Sequence, residues 1–220
     1  MPDDLFAEAR NRMVDSQIRP NRVTDPRITG AMRRLPRERF LPPGLASLAY
    51  ADQDVPLGNG RVLLQPMTIA RLVQLAAPMP GEHALVVAAG AGYGAALLAA
   101  CGPRVTALEE DPALLALARH ALTEVAPEVT LVSGPLSAGW GGSAPYDVIL
   151  LEGAVQEIPP ALAGQLRNHG GRLVTVVCTD GRTSQAVLAE AAGAGLRAQP
   201  MFDCPTPALP SLRPAPAFAF

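Results

Sequence analysis

Residues 83–111 read HALVVAAGAGYGAALLAACGPRVTALEED, and the fold follows from how this stretch is parsed. Leu85-Val86-Val87 is a short apolar run of the kind a strand buried on both faces requires. Gly90, Gly92 and Gly94 follow, in a turn that opens an alanine- and leucine-rich helix to about Ala100. Val105 to Leu108 is a second short strand, and Glu109 stands at its C-terminal end. A glycine turn lets backbone approach a ligand closely, and the helix start beyond it offers free N–H groups. An acid about 20 residues past such a turn can accept from both hydroxyls of a ribose. Strand, turn, helix, strand and acid together predict a nucleoside site; a tight β-to-α turn followed by an ordinary surface glutamate is the plain alternative.

Working outward, Asp111-Pro112 caps and opens a helix to about Val125, and Val129 to Val132 is a third strand. A loop from Ser133 to Ser143 leads to an apolar strand over Tyr146 to Leu151. Pro159-Pro160 starts a helix ending near Asn168, and Leu173 to Cys178 is another buried strand. Ser184 to Leu188 and Arg197 to Phe202 read as final strands, and the tail from Pro205 to Phe220 as irregular. Strands alternating with helices predict an α/β sandwich, mainly parallel, with helices on both faces. Before this core, Asp3 or Asp4 can cap a helix with Leu5, Phe6, Ala9, Met13 and Ile18 inward. Asp25-Pro26 starts a second helix, Val55 to Leu64 forms a small hairpin around Gly58-Asn59-Gly60, and Pro66 opens a helix to about Ala77. The expected organisation is one domain: an N-terminal helical and hairpin cover over residues 1–80, an α/β core over 81–203 and a proline-rich tail over 204–220.

Composition narrows the classes. Hydrophobic residues make up 49% and charged residues 17%, which suits a globular chain with a full core. A net charge of −2 argues against general phosphate-backbone binding, so no nucleic-acid partner is expected. Arg33, Arg34, Arg37 and Arg39 read as a solvated basic face. Cys101, Cys178 and Cys204 lack CxxC spacing, and His83, His120 and His169 share no ligand spacing, so no metal site is expected. An acidic, polar start and the lack of a run of about 20 apolar residues give no membrane partner and a cytoplasmic default.

From about Met13 to Val177 the chain resembles the protein-L-isoaspartate O-methyltransferase family. The resemblance rests on Ile18-Arg19, Asp25-Pro26-Arg27, Ala31-Met32, Leu35-Pro36-Arg37 with Phe40 and Pro42, Ala49-Tyr50-Ala51-Asp52 and Pro56-Leu57-Gly58. It continues through Ala144-Pro145-Tyr146-Asp147, Glu157-Ile158-Pro159 and Gly170-Gly171-Arg172-Leu173-Val174. It implies a Rossmann-like fold, S-adenosylmethionine as methyl donor with S-adenosylhomocysteine as product, and isoaspartyl residues of proteins or peptides as acceptors. On this resemblance Ala88, Ala89, Gly90, Ala91, Gly92, Glu109, Glu110, Gly134, Pro135, Leu136 and Glu152 are the cofactor-binding positions, and Leu64, Gln65 and Pro66 the substrate loop. Such a reaction needs no general base, because a free carboxylate with a pKa of about 4 is already ionised at pH 7.

Several of these positions depart from the family pattern. Leu64 stands where the family has the serine of its Ser-x-Pro loop, leaving the catalytic position unassigned. Val86 and Ala88 replace an acid and a glycine, Gly134-Pro135-Leu136 replaces Gly-Asp-Gly, and Glu152 replaces a small or hydroxyl residue. Each buried hydrogen bond lost is worth about 1–3 kcal/mol, and Glu152 could stand in for the missing carboxylate. Three readings follow: the family's methyltransferase, a methyltransferase with a different acceptor, and a non-catalytic relative acting as a binding protein. NAD binding would use the same glycine-and-acid signal, but no residue after the second strand supplies hydride transfer.

Overall fold

The computed structural model describes residues 3–179, 183–192 and 195–213. Its centre is β3 (His83–Val87), flanked in parallel by β4 (Arg104–Glu109) and β6 (Val148–Val155). β5 (Thr130–Ser133) and β7 (Arg172–Val177) extend the parallel part on either side. β8 (Gln185–Ala192) and β9 (Gly195–Asp203) add an antiparallel edge, giving the order β5-β4-β3-β6-β7-β8-β9. Strand order reverses at β3, and such a switch point opens a crevice beyond the strand ends where open α/β sheets bind ligands. The hairpin β1 (Val55–Gly58) and β2 (Arg61–Leu63) forms a separate antiparallel pair.

Alternation along β3 explains why its apolar run is unbroken. Ala84 and Val86 join the core that holds α3 (Pro66–Ala76), α4 (Tyr93–Ala99), α5 (Pro112–Val125) and the N-terminal elements. Leu85 and Val87 point to the other face, packed with Leu136, Leu162, Leu166 and Leu209. That second face carries only one turn of helix, α6 (Pro160–Ala163), where the sequence suggested a helix to Asn168. The chain leaves helix at Gly164, and Leu166 bridges Tyr146 in parallel. Helical cover is therefore unequal, and short 3₁₀ turns and the tail complete the second layer.

Local signals act as expected at the caps. Asp25 accepts from the Arg27 N–H at 2.8 Å to start α2 (Pro26–Arg34), and Asp111 accepts from Ala113 and Leu114 to start α5. Two N-terminal expectations need correction. Leu5 is 47% exposed; Phe6 of α1 (Asp3–Met13) is the residue that meets Tyr50. Arg37, read as part of a solvated face, is fully buried: its Nε donates to Ala49 O at 2.7 Å, its Nη2 to Leu64 O, and its guanidinium lies 4.7 Å from the Tyr93 ring centroid. Among the described residues no helix is long and apolar enough to cross a membrane.

Candidate functional site

The cofactor positions named from the sequence lie along the C-terminal side of the sheet, after β3 and β5, at the end of β4 and within β6, while Leu64, Gln65 and Pro66 lead into α3. After Val87 the chain turns through Ala88, whose φ of 59° is left-handed, then Gly90 at 57° and Gly92 at 95°. A left-handed alanine costs roughly 1–2 kcal/mol, so the turn is held by its surroundings. Ala89 N–H donates to Leu108 O at 3.0 Å and Gly92 N–H to Ala89 O at 2.8 Å. Gly92 is also the N-cap of α4, whose first turn carries Gly94.

Glu109 is fully buried. Its Oε2 accepts from the Gly90 N–H at 2.7 Å, and its Oε1 from the N–H groups of Glu110 at 2.9 Å and Asp111 at 3.1 Å. Glycine turn and acid are thus one hydrogen-bonded unit, a contact the sequence did not foretell. The sequence reading missed the fourth group of this unit. Arg61, from β2, is 8% exposed and grips Glu109 bidentately, Nη1 to Oε1 and Nη2 to Oε2, both at 2.9 Å. Its Nη2 also donates to Ala88 O at 2.8 Å. A signal was available: Arg61 is the one charged residue between Val55 and Ala70, and a cation in so apolar a run needs a buried anion.

Glu152 lies where the pairing of β6 with β7 slips between Leu150 and Ala154. Such an irregularity re-aims side chains, and its carboxyl rests on the first turn of α4. A Cβ added to Gly94 would stand 1.9 Å from Glu152 Oε1, so only glycine admits this contact. The residue is half-buried overall, yet Oε1 is buried and has no hydrogen-bond partner among the described residues. Burial pushes its pKa up to about 8; Glu109 adds to the rise, while Arg61 and Arg37 oppose it. Arg37 Nη1 and Tyr93 Oη are likewise buried without partners.

Just past β5, Gly134 N–H donates to Glu109 O at 3.2 Å, and Leu136 N–H to Glu110 Oε2 at 3.3 Å. Pro135 is exposed and Leu136 fully buried. Trp140 lies beside Gly134, its ring 3.6 Å from where a Cβ would stand. Ahead of α3, Leu64 is buried in the core. Gln65 gives its backbone N–H to Asp54 and its amide to Asp52, each at 2.6 Å. The backbone N–H of Gln65 and one of its two amide N–H groups are therefore already engaged.

S-adenosylmethionine, implied by the resemblance, can be tested against this geometry. Ala88, Ala89, Gly90, Ala91 and Gly92 are all buried by the chain itself. Glu109 already accepts five hydrogen bonds, against roughly four lone-pair sites on a carboxylate. In this arrangement the residues do not fit a nucleoside: a ribose diol finds no free acceptor at Glu109. Arg61 packs against the turn at Ala88 and Glu109, and Glu152 against Gly94. A cavity of about 410 Å³ lies between the end of β6 and the tail, lined in part by Ala154, Cys178, Thr206 and Leu209.

Comparison with known proteins places this architecture. The family model for protein-L-isoaspartate(D-aspartate) O-methyltransferase matches residues 8–198. The protein-L-isoaspartate O-methyltransferase of Methylorubrum extorquens is 41% identical over 80% of this chain and 78% of its own length. That of Methanoregula boonei is 40% identical over 83% of each chain. Among solved structures, a protein-L-isoaspartate O-methyltransferase aligns with a TM-score of 0.77 at 22% identity, covering 97% of this chain and 67% of its own. A Plasmodium falciparum counterpart in complex with S-adenosyl-L-homocysteine aligns at 0.73 and 16% identity, covering 92% of this chain and 98% of its own. With the family model matched over residues 8–198 and relatives 40–41% identical over about four fifths of the chain, this chain belongs to the protein-L-isoaspartate (D-aspartate) O-methyltransferase family.

Proposed function

We propose that the chain is an S-adenosylmethionine-dependent methyltransferase that acts on the carboxylate of damaged aspartyl residues in proteins. Family membership over residues 8–198 carries this reading. Residues 88–92, Glu109, Glu110, 134–136 and Glu152 are then the donor side, and Leu64, Gln65 and Pro66 the acceptor side. Leu64 can neither donate nor accept, and the Gln65 N–H is engaged by Asp54, so the acceptor carboxylate is held less firmly than a serine would hold it. The expected consequence is turnover with a raised KM for isoaspartyl peptides. A second reading, a non-catalytic relative, is favoured by one observation: the glycine turn is buried by the chain's own hairpin.

Methyl-labelled S-adenosylmethionine with an isoaspartyl peptide, and its normal aspartyl counterpart as control, separates the two. A base-labile methyl ester on the isoaspartyl peptide alone is expected. Absence of ester with both wild type and a variant lacking the Arg61 guanidinium would leave the binding-protein reading.

A further inference from the structure

We propose that Arg61 is an internal occupant of the ribose subsite, and that the β1–β2 hairpin is a latched lid over it. The proposal rests on the nucleoside-site reading above. The carboxylate that a ribose diol would need spends both oxygens on the guanidinium, whose Nη2 is also tied to Ala88 O at the turn. The hairpin lies directly over the glycine turn: Leu57 Cδ1 is 3.7 Å and Arg61 Nη2 3.9 Å from where a Cβ on Gly90 would stand. Its tip is pinned separately, Asn59 Nδ2 donating to Asp111 Oδ2 at 2.7 Å on the cap of α5. The tail closes over it, with Pro210 Cγ 3.0 Å from the Cβ position of Gly60.

Glu109 does not depend on Arg61 alone. Withdrawing the guanidinium leaves three backbone N–H donors on the carboxylate, from Gly90, Glu110 and Asp111. Those donors hold an ionised acid in place and, against roughly four lone-pair sites on a carboxylate, leave it room to accept from one ribose hydroxyl. A nucleoside therefore competes with Arg61 for one carboxylate, and its apparent affinity is lowered by the fraction of molecules in which the hairpin is shut.

The test is calorimetric titration of S-adenosylhomocysteine into wild type, Arg61→Ala and Asn59→Ala. The expected result is at least tenfold tighter binding by Arg61→Ala, with a smaller gain in the same direction for Asn59→Ala, which loosens the hairpin without touching the pair. Asn59→Ala keeps the test decisive if Arg61→Ala does not fold. Equal dissociation constants across the three proteins overturn the latch and leave the methyltransferase reading standing. No binding at millimolar ligand by any of them overturns the latch and removes cofactor binding with it.

Discussion

Replacing Glu152 with glutamine isolates the energetic cost of the buried acid. The carboxyl has an ordinary pKa of 4.5 and is pushed up to about 8 in the folded chain, chiefly by burial. Between those values the folded protein keeps a proton that the unfolded chain has released. Stability therefore falls as pH rises, at about 1.4 kcal/mol per unit for this one group. Across the window the loss sums to roughly 3–5 kcal/mol, most of it present by pH 8. Glutamine has nearly the same shape, fits the same space against Gly94, and does not ionise. Urea unfolding of wild type and Glu152→Gln near pH 5 and near pH 8.5 should therefore diverge. The two should be within about 1 kcal/mol at the acid end, with the variant more stable by roughly 3 kcal/mol or more at the alkaline end. Taking the difference between the two proteins cancels every other titrating group. A gap that stays constant across pH would refute the assignment, and would mean that Glu152 swings out to water or pairs with Arg37 in solution.

Gly153 has φ of 150°, and a Cβ there would stand 2.5 Å from Leu209 Cγ, so Gly153→Ala should destabilise by more than about 1 kcal/mol. Leu209→Ala should cost about 2–3 kcal/mol as a buried truncation, and the double variant should recover part of the Gly153→Ala loss in denaturant midpoints. Asp111→Ala removes the cap of α5 and the anchor of Asn59, and should cost about 1 kcal/mol in thermal unfolding. The Asp111 carboxyl is held below its usual value, first by Asn59, so its contribution is present above the unfolded carboxyl pKa and fades as pH falls through the folded one. A variant midpoint that tracks wild type in acid and neutral buffer alike would contradict this.

The chain's own alphabet decided the frame. Leu85-Val86-Val87 read as a doubly buried strand and Asp111-Pro112 as a helix start; both rest on local rules of burial and capping. Gly90 and Glu109 were each legible because a strand–turn–helix–strand unit fixes where each lands; that they bond to one another was not. The helix after Pro160 was overestimated, since one turn suffices once Leu166 finds a strand-like partner in Tyr146, 20 residues back in the chain. Arg37 was misread for a similar reason: its neighbours in sequence are charged, while its neighbours in space are Tyr93 and the carbonyls of Ala49 and Leu64. Local sequence determined the strands, the caps, the glycine turn and the acid at its far end. Tertiary structure alone decided what fills the space between them, because Arg61 lies 48 residues from Glu109 and the tail's Leu209 lies 56 from Gly153. Electrostatic pairing and close packing act across such distances only after the chain has folded, and no short-range pattern encodes them.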